Sequence, residues 1–317
     1  MFNKWKALFL LLLAGSIALL PAQSENAGST GFATLRHNYQ ARSSAMGEAF
    51  NSIPANAEGL FFNPSVILQS PGKSVSSSFA SYFVGSGGGG VQYVHPVDDK
   101  MAFGGGIKYW NSGLMDRTEI SASNEYVDTG ETFGAHSFIL YGSMAHYIND
   151  GIDVGATLKM ISDSIDDKSA SAVALDFGLL HHTANEKIKV GLSIRNLGLQ
   201  TSYYTEAKHR EGLPLIYSAG ISMQANEKLL GSFELEKASS ESVRARIGAE
   251  YLPLSVLALR AGLRTDFDDY NMGGKMGFLG GFSMGVGYTL SKLQLDYAVV
   301  SLGDLGLSNR LSLGYKF

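Results

Sequence analysis

An alternation of period two, beginning near Lys73 and running to the last residue, restricts this chain more than any other feature. It is sharpest in NRLSLGYKF, from Asn309 to Phe317. There Leu311, Leu313, Tyr315 and Phe317 share one parity, while Arg310, Ser312, Gly314 and Lys316 share the other. A strand with that pattern has one greasy face and one wet face. It also ends on an aromatic, where an open sheet edge would be a liability that a closed transmembrane barrel removes.

The clearest further strands are Ile152 to Met160, Val173 to Leu179, Ile188 to Arg195, Leu215 to Met223, Leu229 to Glu236, Val243 to Tyr251, Leu257 to Arg264, Phe278 to Tyr288 and Leu293 to Val299. Val75 to Val84, Gly89 to His95, Met101 to Trp110 and Ser137 to Ile148 are noisier. Together with the last strand they total about fourteen, an even number that suits an all-β, antiparallel transmembrane barrel. The links alternate in length. Pro96 to Lys100, Asn149 to Gly151, Ala184 to Lys187, Ala225 to Lys228, Leu252 to Leu254 and Leu290 to Ser291 read as tight turns. Asn111 to Phe133, Ser162 to Ser169, Gly198 to Leu213, Thr265 to Lys275 and Gly303 to Ser308 read as longer loops. Short turns on one rim and long loops on the other suit an outer-membrane barrel, and a soluble sandwich has no reason to segregate them.

Composition agrees. The 317 residues include 38 Gly, 15 Tyr and 17 Phe, suiting a sheet of small and aromatic residues, and no Cys for a disulfide, a thiolate metal site or a lipid anchor. Residues 1–24 read as a secretory signal, with basic Lys4 and Lys6, an apolar run from Ala7 to Leu20, and small residues at Ala22 and Ser24. That run is shorter than the roughly 20 residues a spanning helix needs. Without Lys4 and Lys6, 23 of the 25 basic residues face 29 acidic ones, which gives no reason to expect nucleic acid as a partner.

Residues 25–72 differ from the rest. ARSSAMGEAF (Ala41 to Phe50) has helical spacing, and Asn63 is placed to cap a short helix starting at Pro64. Such a piece cannot lie in lipid as a strand, so it is expected in the lumen as a plug; the alternative is a periplasmic tail. The chain thus divides into a signal (1–24), a plug (25–72) and a barrel (73–317).

Charges follow strand parity. Glu234 and Glu236 oppose Phe233 and Leu235, Arg244 and Arg246 oppose Ala245 and Ile247, and Arg260 opposes Leu259. A Lys or Arg facing mid-bilayer lipid costs about 2–4 kcal/mol, so these side chains belong in the lumen. A hairpin turning about the middle of Lys237 to Glu241 sets Glu234 across from Arg246 and Glu236 across from Arg244, a ladder that fixes register. It reads either as a polar conduit or as a structural network; mutually satisfied charges leave little field for selecting ions and favour the network.

No pattern nominates a catalytic, cofactor or metal site. His181 and His182 sit beside a turn without a companion triad. Asp266, Asp268, Asp269 and Asn271 crowd one loop but lack the distal Glu of a calcium motif. Gly85 to Gly90 lacks the strand-to-helix setting of a phosphate cradle. Tyr82, Tyr109, Trp110, Tyr147, Tyr251, Tyr288 and Tyr315 lie near strand ends and are expected to form an interfacial girdle.

The terminal strand resembles the signal that outer-membrane barrels present to their insertion machinery, carried here by Leu313, Tyr315 and Phe317. ARSSAMGEAF followed by GLFFNPS resembles the N-terminal segment of the FadL-like barrels, and especially of the PorV/PorQ family of type IX secretion. The residues that carry the likeness are Arg42, Ala45, Met46, Gly47, Phe62, Asn63 and Pro64, with Ser65 where the family usually has Ala. MAFGGGIKYWNSG (Met101 to Gly113), GIDVGATLKMISDSID (Gly151 to Asp166), ALDFGLLHH (Ala174 to His182) and VGLSIRNLG (Val190 to Gly198) extend it over most of the chain. The resemblance implies a plugged barrel of fourteen strands in the outer membrane of a Gram-negative-type bacterium, not an enzyme, seated in outer-membrane lipid. It implies secretion-system proteins or secreted cargo as partners, held at the loops Asn111 to Phe133, Gly198 to Leu213 and Thr265 to Lys275. The alternative is a FadL-like transporter of hydrophobic small molecules with Ala41 to Ser70 as a movable hatch; a plain structural porin is the third reading.

Overall fold

A computed structural model of the chain describes residues 28–149, 151–183, 186–266 and 272–317. The expected signal and Asp268, Asp269 and Asn271 of the acidic loop lie outside the described residues.

The period-two segments become sheet: β1 (Ser74–Ser81), β2 (Gly87–Pro96), β3 (Met101–Asn111), the short β4 (Met115–Ile120) and β5 (Tyr126–Phe133), β6 (Ala135–Asn149), β7 (Ile152–Ile165) and β8 (Lys168–His182). There follow β9 (Ile188–Ser202), β10 (Ile216–Asn226), β11 (Leu229–Ala238), β12 (Val243–Leu254), β13 (Leu257–Arg264), β14 (Phe282–Leu290), β15 (Leu293–Ser301) and β16 (Leu307–Lys316). Among the described residues, fourteen of them close an antiparallel barrel, and β4 and β5 form a separate two-stranded sheet. β16 closes the barrel against β1, with Phe79 opposite Leu311, and the Phe317 N–H donates to the Lys73 carbonyl at 3.0 Å. Every barrel strand thereby has two neighbours, which lipid requires of a sheet.

The barrel is inside-out by the standard of a soluble protein. Glu234 is 1 % exposed while its neighbour Leu235 is 40 % exposed, and the same contrast separates Arg310 from Leu311. No helix among the described residues is long and apolar enough to cross a membrane; the strands do so.

Apolar burial is concentrated instead in the N-terminal segment. The helix α1 (Ala41–Ala45) and 3-10 turns at Ala33–Arg36, Ala57–Phe61 and Pro64–Gln69 fold inside the barrel. Phe50, Phe62, Met46, Ile53 and Leu60 are fully buried, and Phe62 packs its ring 5.5 Å from that of Phe50 and 5.1 Å from that of Phe61. Asn63 Oδ1 accepts the Ser65 N–H at 3.0 Å, capping the turn that Pro64 begins.

Three expectations need correction. Ser162 to Ser169 is no long loop: β7 and β8 continue to Ile165 and Lys168 around a tight turn in which Asp166 has φ of 54°. Above the lipid both strand faces are wet, so alternation fades although the ladder goes on. Phe278 to Gly281 is not strand, because Gly277–Leu279 forms a 3-10 turn before β14. Tyr82, Trp110 and Tyr147 do not join a girdle. Tyr82 donates to the Asn38 carbonyl, Trp110 packs 5.6 Å from the His37 ring, and Tyr147 packs on the inner core. Tyr109, Tyr251, Tyr288 and Tyr315 are exposed on the outer face.

Candidate functional site

The site begins with backbone packed on backbone. Ala45, Met46 and Gly47 lie against three glycines of the wall. A Cβ at Gly285 would meet the Ala45 Cβ at 2.6 Å, one at Gly248 the Met46 carbonyl oxygen at 2.5 Å, and one at Gly262 the Gly47 nitrogen at 1.9 Å. Gly47 itself has φ of 61°, and Cβ positions there would strike Ile247 and Leu263 backbone. Asn63 and Pro64 dock on another arc, where a Cβ at Gly178 would fall 1.9 Å from Asn63 Oδ1. Asn63 Nδ2 donates to the carbonyls of Asn51 (2.9 Å) and Leu179 (3.1 Å).

Two charge networks join plug to wall. In the lower one Arg42 of α1 reaches Glu250 of β12 at 2.9 Å and Glu58 of the plug at 2.6 Å. Arg260 of β13 reaches Glu250 and Asp296, each at 2.6 Å. The upper one centres on Glu48 of the plug, 3.0 Å from Arg310, 3.4 Å from Arg264 and 3.7 Å from Arg246. Burial opposes the charge of Glu48, but Arg264, Arg246 and Arg310 outweigh it and hold the carboxyl well below the usual carboxylate range. Glu48 also has φ of 61°, a left-handed conformation that costs a non-glycine residue about 1–2 kcal/mol. The carboxylate is what keeps a side chain at that position.

The β11–β12 register sets Glu234 opposite Arg246 and Glu236 opposite Arg244. Side-chain pairing departs from that register. Glu236 takes Arg246 at 2.6 Å and Arg195 of β9 at 2.5 Å, Arg244 turns to Glu241 at 2.8 Å, and Arg246 stays 4.0 Å from Glu234. Glu234 instead accepts the Phe50 and Asn51 N–H groups at 2.9 Å each. The ladder is therefore a wall-to-plug clamp, because the plug supplies donors that strand pairing alone does not reveal. Glu48, Arg195, Arg264 and Arg310 escape a reading of single hairpins; inward strand parity was the available signal for the three arginines, and Glu48, in the plug, had none. At the rim with the short turns, His182 Nε2 lies 2.6 Å from Asp153 and 3.1 Å from Gln69 of the plug.

Above the upper network a chamber of about 450 Å³ lies at the end of the lumen toward the long loops, lined by His37, Tyr82, Trp110, Arg195, Arg244 and Arg310 among others. Over the same rim projects the β4–β5 hairpin, tied down by Arg117 to Asp166 at 2.6 Å. A second link, 272–281, is pinned by Asp304, whose carboxylate accepts N–H groups of Met272, Gly274 and Met276 at 2.9, 2.9 and 3.1 Å. Those bonds, the one from Met272 foremost, lower the Asp304 pKa.

The sequence profile of the family described as type IX secretion system membrane protein PorP/SprF matches residues 27–317. The chain belongs to the PorP/SprF family. The sequence resemblance was drawn to PorV/PorQ; the family shown is PorP/SprF. No protein of curated function matches. Among solved structures, the Pseudomonas putida toluene transporter TodX is similar at 12 % identity and TM-score 0.61, covering 89 % of this chain and 98 % of that one. A TodX mutant lacking S2 and S3, described as a monoaromatic hydrocarbon channel, gives 13 % identity and TM-score 0.64 over 88 % of this chain and 99 % of that one. A FadL homologue from Pseudomonas aeruginosa gives 13 % and 0.55 over 94 % and 99 %. At these identities the likeness of this PorP/SprF protein to those barrels is one of fold. The family is one of type IX secretion membrane proteins, and together with the closed barrel it puts the chain in the outer membrane.

Proposed function

We propose that this PorP/SprF protein works in type IX secretion as a sealed outer-membrane scaffold that binds protein partners at its outer rim, holding or shuttling secreted cargo in the PorV/PorQ manner. The observation that carries this reading is the filled lumen: the plug is fixed to the wall by the Arg42–Glu250 pair and by the three arginines around Glu48. A barrel clamped at two levels offers its rim, not its interior, to a protein. The hairpin 115–133 is the most prominent part of that rim. It carries Asp116, Glu119, Glu125, Asp128 and Glu131 against Arg117, with Ile120 and Tyr126 exposed. That combination suits a partner surface that is basic with apolar patches.

Replacing residues 115–133 by a short Gly-Ser link is expected to leave the folded barrel in the outer membrane and reduce partner capture and cargo secretion to background. Undiminished secretion would overturn the rim assignment. The transport alternative requires the plug to swing as a hatch, which breaks both networks in each cycle. Hydrophobic solute or lipid copurifying in the lumen at stoichiometric amounts would favour it. Residues 1–24 as a cleaved signal and the Leu313, Tyr315 and Phe317 face as the insertion signal complete the proposal.

A further inference from the structure

We infer that the free edge of β4 takes an extended basic segment of a protein partner as a third strand, a mode of contact that rests on the reading of the outer rim as the partner-binding surface. β4 and β5 form a sheet of two strands, so among the described residues each has one neighbour and one bare edge. The loop between them fixes which backbone groups lie on that edge. Ser121 donates its N–H to the Glu125 carbonyl at 2.8 Å and accepts the Asn124 N–H at 2.9 Å, so both its backbone groups turn toward β5. Arg117, of the same parity, turns its carbonyl the same way and accepts the Thr129 hydroxyl at 2.9 Å. Backbone groups alternate sides along an antiparallel strand, so those of Asp116, Thr118 and Ile120 face away from β5. Their N–H and C=O groups make a continuous row of donors and acceptors.

β4 offers the better edge of the two. Between the pairs Asp116–Thr132 and Thr118–Asp128, β4 has Arg117 alone while β5 has Thr129, Gly130 and Glu131, so the bulge lies on β5. Bulges blunt an edge against pairing. The foot of β5 is also occupied, because Asp166 of the β7–β8 turn donates its N–H to the Gly134 carbonyl at 3.1 Å. β4 instead rises beside the short β1–β2 link, where a Cβ on Gly113 would lie 2.8 Å from the Val84 carbonyl oxygen. Phe83 and Val84 of that link are exposed, as are Leu114 and Ile120 at the two ends of β4. Charge selects the occupant. From Met115 to Phe133 the hairpin has five carboxylates, on Asp116, Glu119, Glu125, Asp128 and Glu131, and Arg117 as its one cation. Arg117 is itself held by Glu131 at 3.3 Å and Asp166 at 2.6 Å. A second copy of this hairpin would set like charges strand against strand, which disfavours self-pairing. An extended segment with Lys or Arg between apolar residues meets both the carboxylates and the exposed apolar groups.

The probe is a labelled synthetic peptide in which Lys and Val alternate over about ten residues, titrated by fluorescence anisotropy against the full chain in nonionic detergent. Saturable binding is expected, and none for a Glu-Val peptide of equal length. The Lys-Val peptide with its backbone amides N-methylated keeps its charge, loses the donors that pairing needs, and is expected to bind about tenfold more weakly. Thr118→Pro removes an N–H that β5 does not use and is expected to weaken the unmethylated peptide by a similar factor, whereas Thr118→Ala leaves it unchanged. Absence of saturable binding to the parent chain would overturn the inference, as would equal binding of the N-methylated peptide, a comparison that needs no variant to fold. In cells, Thr118→Pro is expected to depress secretion and Thr118→Ala to leave it intact. Secretion lost on replacing residues 115–133 but untouched by Thr118→Pro would sink strand addition and leave the rim reading standing; secretion undiminished by the replacement would remove both.

Discussion

Gly262→Val is expected to expel the plug while leaving a barrel. A Cβ at residue 262 would lie 1.9 Å from the Gly47 nitrogen and 2.4 Å from the Met46 carbonyl carbon, both backbone atoms that no rotamer change can move. Overpacking a tight site costs about 1–3 kcal/mol, and a contact between two backbones belongs at or above the upper end. Val itself suits a strand, so β13 keeps its pairing with β12 and β14. The expected readouts are protease cleavage between Ala41 and Asn63 in a barrel that still migrates as folded on a cold gel, and ion conductance absent from the parent. Gly142→Val is the control, since a Cβ there meets nothing within 4 Å. An uncut plug in Gly262→Val would show that the AMG stretch is not held as described.

Glu48→Gln is expected to destabilise the barrel by about 3–5 kcal/mol, the range for removing one partner of a buried ionic cluster. The substitution keeps volume and backbone but withdraws the counter-charge from Arg246, Arg264 and Arg310 at once. Adding Arg310→Gln should return part of the loss, because it removes one cation left without compensation. That non-additivity in a double-mutant cycle, read by denaturant unfolding in detergent or bilayer, distinguishes an ionic hub from a merely well-packed residue. Glu48→Gly supplies a second check. It relieves the left-handed strain at φ of 61° and would stabilise the chain if backbone conformation dominated; the expected result is again a loss.

Much of the architecture was legible because the signal is repetitive. Period-two parity told Arg246 from Ile247 as reliably as it told Arg310 from Leu311, and the link Lys237 to Glu241 was short enough to set the β11–β12 register. What parity could not tell is where a charged group goes once it is inside. Glu234 lies across from Arg246 in the ladder, yet its carboxylate serves the N–H groups of Phe50 and Asn51, which arrive from nearly two hundred positions away in sequence. Gly178, Gly248 and Gly262 read as ordinary small residues of a glycine-rich sheet; only the plug pressed on them gives them a purpose. The β4–β5 hairpin was invisible for the opposite reason. Standing clear of lipid and core, most of its residues are exposed on both faces, so nothing imposes alternation.

The most direct test of the central claim is a pull-down of the tagged protein from mildly solubilised outer membranes, analysed by mass spectrometry for proteins and lipids together. The expected result is capture of type IX secretion components or secreted proteins, lost when residues 115–133 are replaced and retained in the Gly142→Val control. Stoichiometric lipid or hydrophobic solute with no protein partner would contradict the scaffold reading and return the plug to the role of a hatch.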